Sequence, residues 1–312
     1  MPNRKFYSNG KLLLSGEYVV LDGAKALAIP TKYGQTLEVT EIELSNNVET
    51  PKLIWKSFDY RDVVWYQHSF EIDAIGKNVS YYNSVSDTLH ELLSEAKRLN
   101  PDFLSKNKSF EVQTTLSFPQ NWGLGSSSTL IHNIALWANV NPYTLLWNAF
   151  KGSGYDIACA KHNSPIVYEV QNQQPNVSEV AFSPSFSKQL FFVHLNKKQD
   201  SRTAIANYNA KKGTISNEIK IINAITSEMI HTNSLIDFEQ LLKEHEQLIG
   251  EIIQETPIQE RLFPDYFGQI KSLGAWGGDF ILATGNEDTK AYFKKKGFAT
   301  IIPFDKIILA HT

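Results

Sequence analysis

Apolar and polar positions repeat with two different periods along the chain, and the changes between these periods predict its elements. Alternation over residues 110–116 predicts a strand, and apolar residues at helical spacing over 130–138 predict a helix. The same two patterns predict strands at 12–14, 26–30, 35–42, 53–55, 63–72, 166–170, 190–195, 280–283 and 299–302, and helices at 79–99, 143–150, 216–229, 235–253 and 289–296.

The distribution of these elements predicts two domains. The first third of the chain is mostly β, and residues 171–187 are rich in Gln, Asn, Ser and Pro with few apolar positions. We place a boundary there, which gives an N-terminal domain at 1–180 and a C-terminal domain at 181–312. The second domain is expected to pack helices on one face of an antiparallel sheet, so the predicted fold class is α+β.

A glycine–serine loop joins the predicted strand at 110–116 to the predicted helix that follows it. Residues 119–129 read P-Q-N-W-G-L-G-S-S-S-T, where the glycines permit sharp turns and the serines add hydroxyl groups. The first N–H groups of a helix lack partners and carry positive potential, so this order predicts a phosphate site. The loop is neither a Walker A nor a Rossmann sequence, and a flexible connector with a serine N-cap is the alternative.

Composition narrows the class of protein. The chain has 312 residues, 42% of them hydrophobic, and a net charge of −3 without a long basic run, which argues against a nucleic-acid partner. Its one cysteine, Cys159, excludes an internal disulfide and fits a reducing compartment. The polar N-terminus and the lack of a long apolar run predict a cytoplasmic protein without a membrane partner.

Four segments share their order and spacing with a known family. They are Gly10-Lys11 with Gly16-Glu17, the loop at 119–128, the run G-Y-D-I-A at 154–158, and K-S-L-G-A-W-G-G at 271–278. Together they resemble the GHMP kinase superfamily of small-molecule kinases, over nearly the whole chain. The loop P-x-x-x-G-L-G-S-S-S is the most specific of the four, and the G-Y-D-I-A run suggests a bacterial subgroup related to mevalonate and phosphomevalonate kinases.

This resemblance implies the fold and the nucleotide site. The N-terminal domain would be ribosomal S5 domain 2-like and the C-terminal domain ferredoxin-like, with ATP and Mg²⁺ as cofactors. Ser127 matches the family serine whose hydroxyl reaches Mg²⁺. The resemblance assigns nucleotide binding to Trp122, Gly123, Leu124, Gly125, Ser126, Ser127, Ser128, Gly274, Ala275 and Gly277.

The resemblance also implies the catalytic and acceptor residues. Asp156 matches the aspartate that faces the acceptor hydroxyl, and Lys11 matches a lysine near it that would keep it ionised. From the residues alone, the alternative for Asp156 is a helix N-cap. The alternative for residues 201–203 is a solvated turn. Acceptor contacts are assigned to Glu17, Ser153, Tyr155, Ser201 and Arg202, with Arg202 suited to an anionic group.

Three departures from the family pattern are visible. Tyr18 replaces a histidine, Trp276 replaces a glycine, and residues 143–155 contain no acidic residue where many mevalonate kinases carry a glutamate that binds Mg²⁺. Since Mg²⁺ needs few protein ligands when phosphates and waters supply the rest, we expect weaker or differently arranged metal binding.

The predicted function is ATP-dependent phosphorylation of a small-molecule alcohol or phosphorylated acceptor by a monomer or homodimer, with mevalonate or phosphomevalonate as first choice. Alternatives are a non-catalytic protein of this fold that binds a metabolite, and a kinase for homoserine or a sugar. A diphosphomevalonate decarboxylase is disfavoured, because those enzymes carry a different loop, of Ala-Ser-Ser-Ala type.

Overall fold

The computed structural model describes residues 3–44, 50–104, 108–197, 202–276 and 278–309. The strands in these ranges are β1 (Asn3–Leu13), β2 (Ala26–Glu43), β3 (Lys52–Phe58), β4 (Val64–Glu71), β5 (Lys108–Leu116), β6 (Ile166–Gln171), β7 (Gln174–Glu179), β8 (Leu190–His194), β9 (Ile270–Ser272), β10 (Phe280–Thr284) and β11 (Ile301–Pro303). The α-helices are α1 (Ser84–Leu99), α2 (Ser126–Ala138), α3 (Pro142–Ala149), α4 (Tyr155–Lys161), α5 (Arg202–Lys211), α6 (Ser216–His231), α7 (Leu235–Ile253), α8 (Ile258–Leu262), α9 (Asp288–Lys295) and α10 (Phe304–Ile307).

Residue contacts group the chain into two units. Unit 1 comprises residues up to Gly10, Tyr33–Gln120 and Gly125–Lys161, and unit 2 comprises Lys11–Lys32, Asn121–Leu124 and His162–Thr312. Unit 2 therefore takes segments from both sides of the predicted boundary at residue 180. The division into domains at 1–180 and 181–312 stays a prediction.

Unit 1 is built from strands covered by helices α1 to α4. β3 pairs antiparallel with β4 and parallel with β5, and β5 pairs antiparallel with residues 35–43 of β2. Alternate strand residues such as Leu37, Val39 and Val112 are buried with Leu92 and Leu93 of α1 in one apolar core. Asn83 and Asn141 cap α1 and α3, each accepting two backbone N–H bonds, which explains where these helices begin.

Unit 2 contains an antiparallel sheet of strand order β11-β8-β10-β9 within the described residues. α7 packs against β9, and α5 and α6 pack against α7. Residues 26–28 of β2 pair with β6, which forms a hairpin with β7. Thr31 forms an isolated bridge with Ile308, and the Leu309 N–H donates to the Pro30 carbonyl at 3.0 Å, so these contacts join segments about 280 positions apart in sequence.

The predicted mixture of helices and strands is confirmed, and so are the antiparallel sheet and most of the predicted elements; the named domain types stay predictions. Several elements differ from expectation. The two short strands predicted at 26–30 and 35–42 form one strand, β2, and the polar segment 171–187 contains β7. The solvated turn considered at 201–203 overlaps α5, which begins at Arg202, while residue 201 lies outside the described residues.

In the described part of the chain, no helix combines the length and the apolar character that crossing a membrane requires.

Candidate functional site

The glycine–serine loop leads from β5 into α2, as the sequence predicts. Gly125 precedes the helix with a left-handed φ of +90°, and the first helical bond runs from the Thr129 N–H to the Gly125 carbonyl at 3.0 Å. The N–H groups of Ser126, Ser127 and Ser128 lie before that bond, so they lack partners within the helix. This is the backbone arrangement that binds phosphate at helix N-termini.

The three serines of the loop differ in exposure. Ser127 is exposed, whereas Ser128 is buried and its hydroxyl donates to the Gly125 carbonyl at 2.9 Å. The Ser126 carbonyl accepts from the Thr129 hydroxyl at 3.0 Å. The Ser128 hydroxyl therefore closes the first helical turn, which argues against a phosphate contact through that side chain, while Ser127 presents its hydroxyl to the surface.

Residues 121–124 belong to unit 2 and are anchored there. The Trp122 ring packs edge-on against Phe280 with centroids 5.5 Å apart, and His194 Nε2 lies 2.9 Å from the Asn121 carbonyl, to which it can donate. Leu124 is fully buried. Any contact of Leu124 with a nucleotide would therefore involve its main chain, not its side chain.

Lys11 contacts this part of the loop through both its side chain and its backbone. Its ammonium group donates to the Gly123 carbonyl at 2.9 Å, and its N–H donates to the Leu124 carbonyl at 2.9 Å. Gly123 has a φ of +66°, and a Cβ at this position would overlap the Asp279 carboxylate. Glycine is therefore required here by both conformation and space.

Asp279 was not predicted as a site residue, although it directly follows the glycine-rich segment 274–278. Its N–H donates to the Lys197 carbonyl at 2.9 Å, and its own carbonyl accepts from the Leu195 N–H at 2.7 Å. These bonds fix a carboxylate against Gly123. Its position directly after the glycines is the one signal in the sequence that could have identified it.

Asp156 is the second residue of α4 and is half-buried. Its Oδ1 accepts from the Ile157 N–H at 3.1 Å, and α4 packs against α2. Burial raises the pKa of the nearby Tyr143 phenol, with smaller contributions from Cys159 and Asp156. A helix-capping role and a proton-accepting role are both compatible with this carboxylate, so the catalytic assignment stays a prediction.

The predicted acceptor residues have different surroundings. Ser153 is buried and Tyr155 is half-buried, next to a turn that Trp147 stabilises by donating from Nε1 to the Gly152 carbonyl at 3.1 Å. Arg202 is the first residue of α5, and its side chain lies outside the description. Ser201 and Gly277 lie outside the described residues altogether.

Glu17 lies in a buried ion pair. It is 1% exposed, Lys271 is 0% exposed, and the Lys271 ammonium group bonds to Glu17 Oε1 and to the Ser272 carbonyl, the latter at 2.8 Å. Burial raises the pKa of the Glu17 carboxyl, and Lys271 opposes that rise. This environment argues against the predicted direct contact between Glu17 and an acceptor.

Two ionisable residues of α7 complete this buried cluster and were missed from the sequence. His245 Nε2 accepts from the Gly16 N–H at 2.9 Å, and burial lowers the pKa of this imidazole well below its ordinary value. Burial raises the pKa of Glu246 to about 7, while its carboxylate accepts from the Ser272 N–H at 3.0 Å and from the Ser272 hydroxyl at 2.7 Å. Their position on the apolar stripe of the predicted helix was the available signal.

The segment after β9 contains the departure at Trp276. An added Cβ on Gly274 would meet nothing within 4 Å, so the backbone there borders open space. The Tyr18 hydroxyl donates to the Ala275 carbonyl at 3.1 Å. Trp276 is 4% exposed and packs in an apolar cluster of unit 2, where the absence of a side chain on Gly250 leaves room for its indole ring.

No group of three or more His, Cys, Asp or Glu residues that could hold a metal ion occurs within the described ranges. The contact of Ser127 with Mg²⁺ stays a prediction, in which phosphates and water would supply the other ligands of the ion. That arrangement is common for Mg²⁺, which keeps several waters and uses few protein ligands.

Comparison with solved structures shows that the fold is shared over the full length of the chain. Mevalonate kinase of Methanococcus jannaschii matches with a TM-score of 0.72 at 16% identity, over 99% of each chain. Phosphomevalonate kinase of Streptococcus pneumoniae, solved with phosphomevalonate and AMPPNP, matches at 0.67 and 14% identity over 99% of this chain and 98% of that one. Galactokinase of Lactococcus lactis, solved with galactose, matches at 0.65 and 15% identity, over 94% and 88%.

No family model matches the sequence. No curated protein matches it either. The similarity is thus one of fold, and the predicted resemblance to the GHMP kinases is confirmed at that level.

Proposed function

We propose that this protein is an ATP-dependent kinase that transfers the γ-phosphoryl group of ATP to a hydroxyl or phosphate oxygen of a small molecule. The observation that carries the proposal is the bond from the Lys11 ammonium group to the Gly123 carbonyl. It joins two of the four sequence motifs across 112 positions of the chain. The full-length similarity to kinases of mevalonate, phosphomevalonate and galactose supports the same reaction class.

The residues of the loop are suited to bind the phosphate groups of a nucleoside triphosphate. The N–H groups of Ser126 to Ser128 and the positive end of the α2 dipole suit the phosphate oxygens. Ser127 has the exposed hydroxyl that a phosphate-bound Mg²⁺ would need, and the ion would neutralise charge on the phosphates. We extend this proposal to the backbone of Gly274 and Ala275, since an added Cβ on Gly274 would meet nothing within 4 Å.

In the proposed reaction with an alcohol such as mevalonate, Asp156 accepts the proton of the attacking hydroxyl oxygen, whereas with phosphomevalonate the attacking atom is an ionised phosphate oxygen that carries no proton to remove. As that oxygen bonds to the γ-phosphorus, the bond from phosphorus to the bridging oxygen breaks, and ADP leaves with the electron pair. Lys11 contributes a positive charge that stabilises the developing negative charge. The pairing of Lys11 with Asp156 is part of the proposal. A double-mutant cycle would measure the coupling energy between the two residues.

Mevalonate or phosphomevalonate is the proposed acceptor, with Arg202, Ser153 and Tyr155 as acceptor contacts. The similarity to a galactokinase keeps a sugar as the alternative, beside homoserine. We further propose an S5-like and a ferredoxin-like domain, a monomer or homodimer, and a cytoplasmic protein without nucleic-acid or membrane partners.

A coupled assay of ADP release tests the function directly. Mevalonate, phosphomevalonate, homoserine and galactose are each added with Mg-ATP, and we expect turnover with one of the first two. Asp156→Asn is the matched variant, because the asparagine oxygen can still accept from the Ile157 N–H. Its kcat should fall by about 10² to 10⁴ while Mg-ATP still raises the melting temperature.

A non-catalytic metabolite-binding protein is the second candidate. Trp276, Tyr18 and the absence of an acidic residue from 143–155 favour it. A Mg-ATP-induced rise in melting temperature without turnover of any acceptor would select this candidate. Wild-type turnover by Asp156→Asn would instead leave Asp156 as a helix cap.

A further inference from the structure

Glu17 and Tyr18 are adjacent in sequence, and each bonds to one end of the segment 271–275. Glu17 pairs with the Lys271 ammonium group, and the Tyr18 hydroxyl donates to the Ala275 carbonyl at 3.1 Å. All of these residues belong to unit 2. A single turn of the chain therefore holds both ends of the stretch that contains Gly274.

We propose that Glu17 and Tyr18 are positioning residues, which hold the segment 271–276 in the conformation that receives the nucleotide. This inference rests on the proposed function, because it takes Gly274 and Ala275 as nucleotide contacts. It assigns Glu17 a role other than acceptor binding. It also gives a physical reason for a tyrosine at position 18, because the shorter side chain of a histidine lacks the phenolic hydroxyl that reaches Ala275.

The segment needs external support because its backbone is unfavourable on its own. Gly274 and Trp276 have left-handed φ values of +59° and +57°, and a left-handed conformation is costly for a residue with a side chain. The bond from the Trp276 N–H to the Leu273 carbonyl is long, at 3.4 Å. Burial of the indole at one end and the two bonds from the Glu17–Tyr18 turn offset this cost.

The turn that provides these bonds is itself held by α7. The Gly16 N–H donates to His245 Nε2, which lies 3.4 Å from Glu17 Oε2. The neighbouring Glu246 accepts from both the N–H and the hydroxyl of Ser272, the residue after Lys271. α7 thus holds Gly16, the residue before Glu17, and Ser272 of β9, and the low exposure of all four ionisable groups makes their geometry specific.

The decisive variant is Tyr18→Phe, which keeps the ring and removes the hydroxyl. Loss of one neutral hydrogen bond should raise the dissociation constant of Mg-ADP by about 2- to 10-fold. The KM for ATP should rise in parallel, with the KM of the acceptor unchanged. Hydrogen exchange of the amides at 273–276 should become faster in the ligand-free protein.

Tyr208→Phe is the matched control. The Tyr208 ring lies 5.9 Å from that of Tyr18 in the same apolar cluster, but its hydroxyl donates to Asp22. The variant thus removes a phenolic hydroxyl from the same cluster, but this hydroxyl bonds to Asp22 and not to the segment 271–276. We expect wild-type affinity for Mg-ADP and wild-type amide exchange at 273–276.

Two results would overturn the inference. One is wild-type Mg-ADP affinity in Tyr18→Phe, and the other is an equal loss of affinity in Tyr208→Phe, which would indicate general loosening. Absence of Mg-ADP binding to the wild-type protein would be a different failure, because it overturns the proposed function and the inference with it.

The ion pair is tested with both charges removed. Glu17→Gln alone would leave a buried cation unpaired, which can prevent folding. The double variant Glu17→Gln/Lys271→Met avoids this charge, and amide exchange at 271–273 should be faster than in the wild type. Unchanged exchange in this folded variant would contradict the role assigned to Glu17.

Discussion

Ser127 and Ser128 are adjacent residues with opposite exposure, and this contrast gives a prediction for single side chains. Ser127→Ala should weaken Mg-ATP binding by about 10- to 100-fold, the range expected for a lost bond to a charged group, and leave stability unchanged. Ser128→Ala should lower the free energy of unfolding by about 1 kcal/mol, because the bond from the buried Ser128 hydroxyl to the Gly125 carbonyl is lost, and leave Mg-ATP affinity unchanged. Titration calorimetry and urea unfolding measure the two quantities.

Each serine variant is the control for the other. If Ser128→Ala weakened Mg-ATP binding while Ser127→Ala lowered stability, the assignment of the two hydroxyls would have to be exchanged.

Sequence reasoning located the residues whose role follows from a local motif. The alternation over 110–116 predicted the strand, and the order of glycines and serines predicted the loop and the start of α2, because each of these depends on neighbouring positions. The pairing of Glu17 with Lys271 spans 254 positions, and the contact of Asp279 with Gly123 depends on the fold, so no local pattern reveals either of them. Burial of Glu17 likewise could not be inferred from its flanking residues.

At the scale of elements, α7 and the segment after β9 fit each other at Gly250. Alanine is a better helix former than glycine by about 1 kcal/mol, so Gly250→Ala would stabilise an isolated helix. In the folded protein its Cβ would lie 2.7 Å from the Glu255 carbonyl oxygen and 3.4 Å from the Trp276 ring. We expect the free energy of unfolding to fall by about 1–3 kcal/mol in urea denaturation, because overpacking outweighs helix propensity.

Gln247→Ala on an exposed position of the same helix is the control for this effect. It should change stability by less than about 0.5 kcal/mol. A stabilised Gly250→Ala variant would show that the Trp276 segment moves away without cost, against the close fit described above.

Element boundaries were predictable where the local pattern agreed with the tertiary contacts. β2 was predicted as two strands from two separate apolar patterns, and Pro30 and Gly34, residue types that weaken strand pairing, lie between or at the edges of these patterns. The Pro30 carbonyl instead accepts from the Leu309 N–H, and Gly34 bonds with Ser117, so contacts far along the chain continue the strand. The short helix α8 gave too few positions for a periodic signal and was missed.

At the scale of the whole molecule, the buried cluster makes stability depend on pH through Glu246. Its pKa rises from 4.5 to about 7 in the folded protein, so between these values the folded state holds a proton that the unfolded state has lost. The free energy of unfolding therefore falls as pH rises through this range. The raised pKa of Glu17 acts in the same direction, and the lowered pKa of His245 opposes it below about pH 6.5.

Glu246→Gln isolates the contribution of this carboxyl group. Urea unfolding from pH 5 to pH 8 should show that the stability of the wild type relative to the variant declines by about 2–3 kcal/mol over this range. A constant difference between the two proteins would mean that Glu246 titrates at its ordinary pKa in the folded state.

The bridge between Thr31 and Ile308 has a consequence for how the protein is made. Residues 11–32 are synthesised before Ile308 and Leu309, which follow about 280 positions later in the sequence. At about 5–20 residues per second, the early segment waits roughly 15 to 60 s for its partners. Val19 and Ala24, which are buried beside residues 204–276 once folding is complete, stay uncovered during most of that interval. Aggregation and chaperone binding compete with folding throughout this period of synthesis.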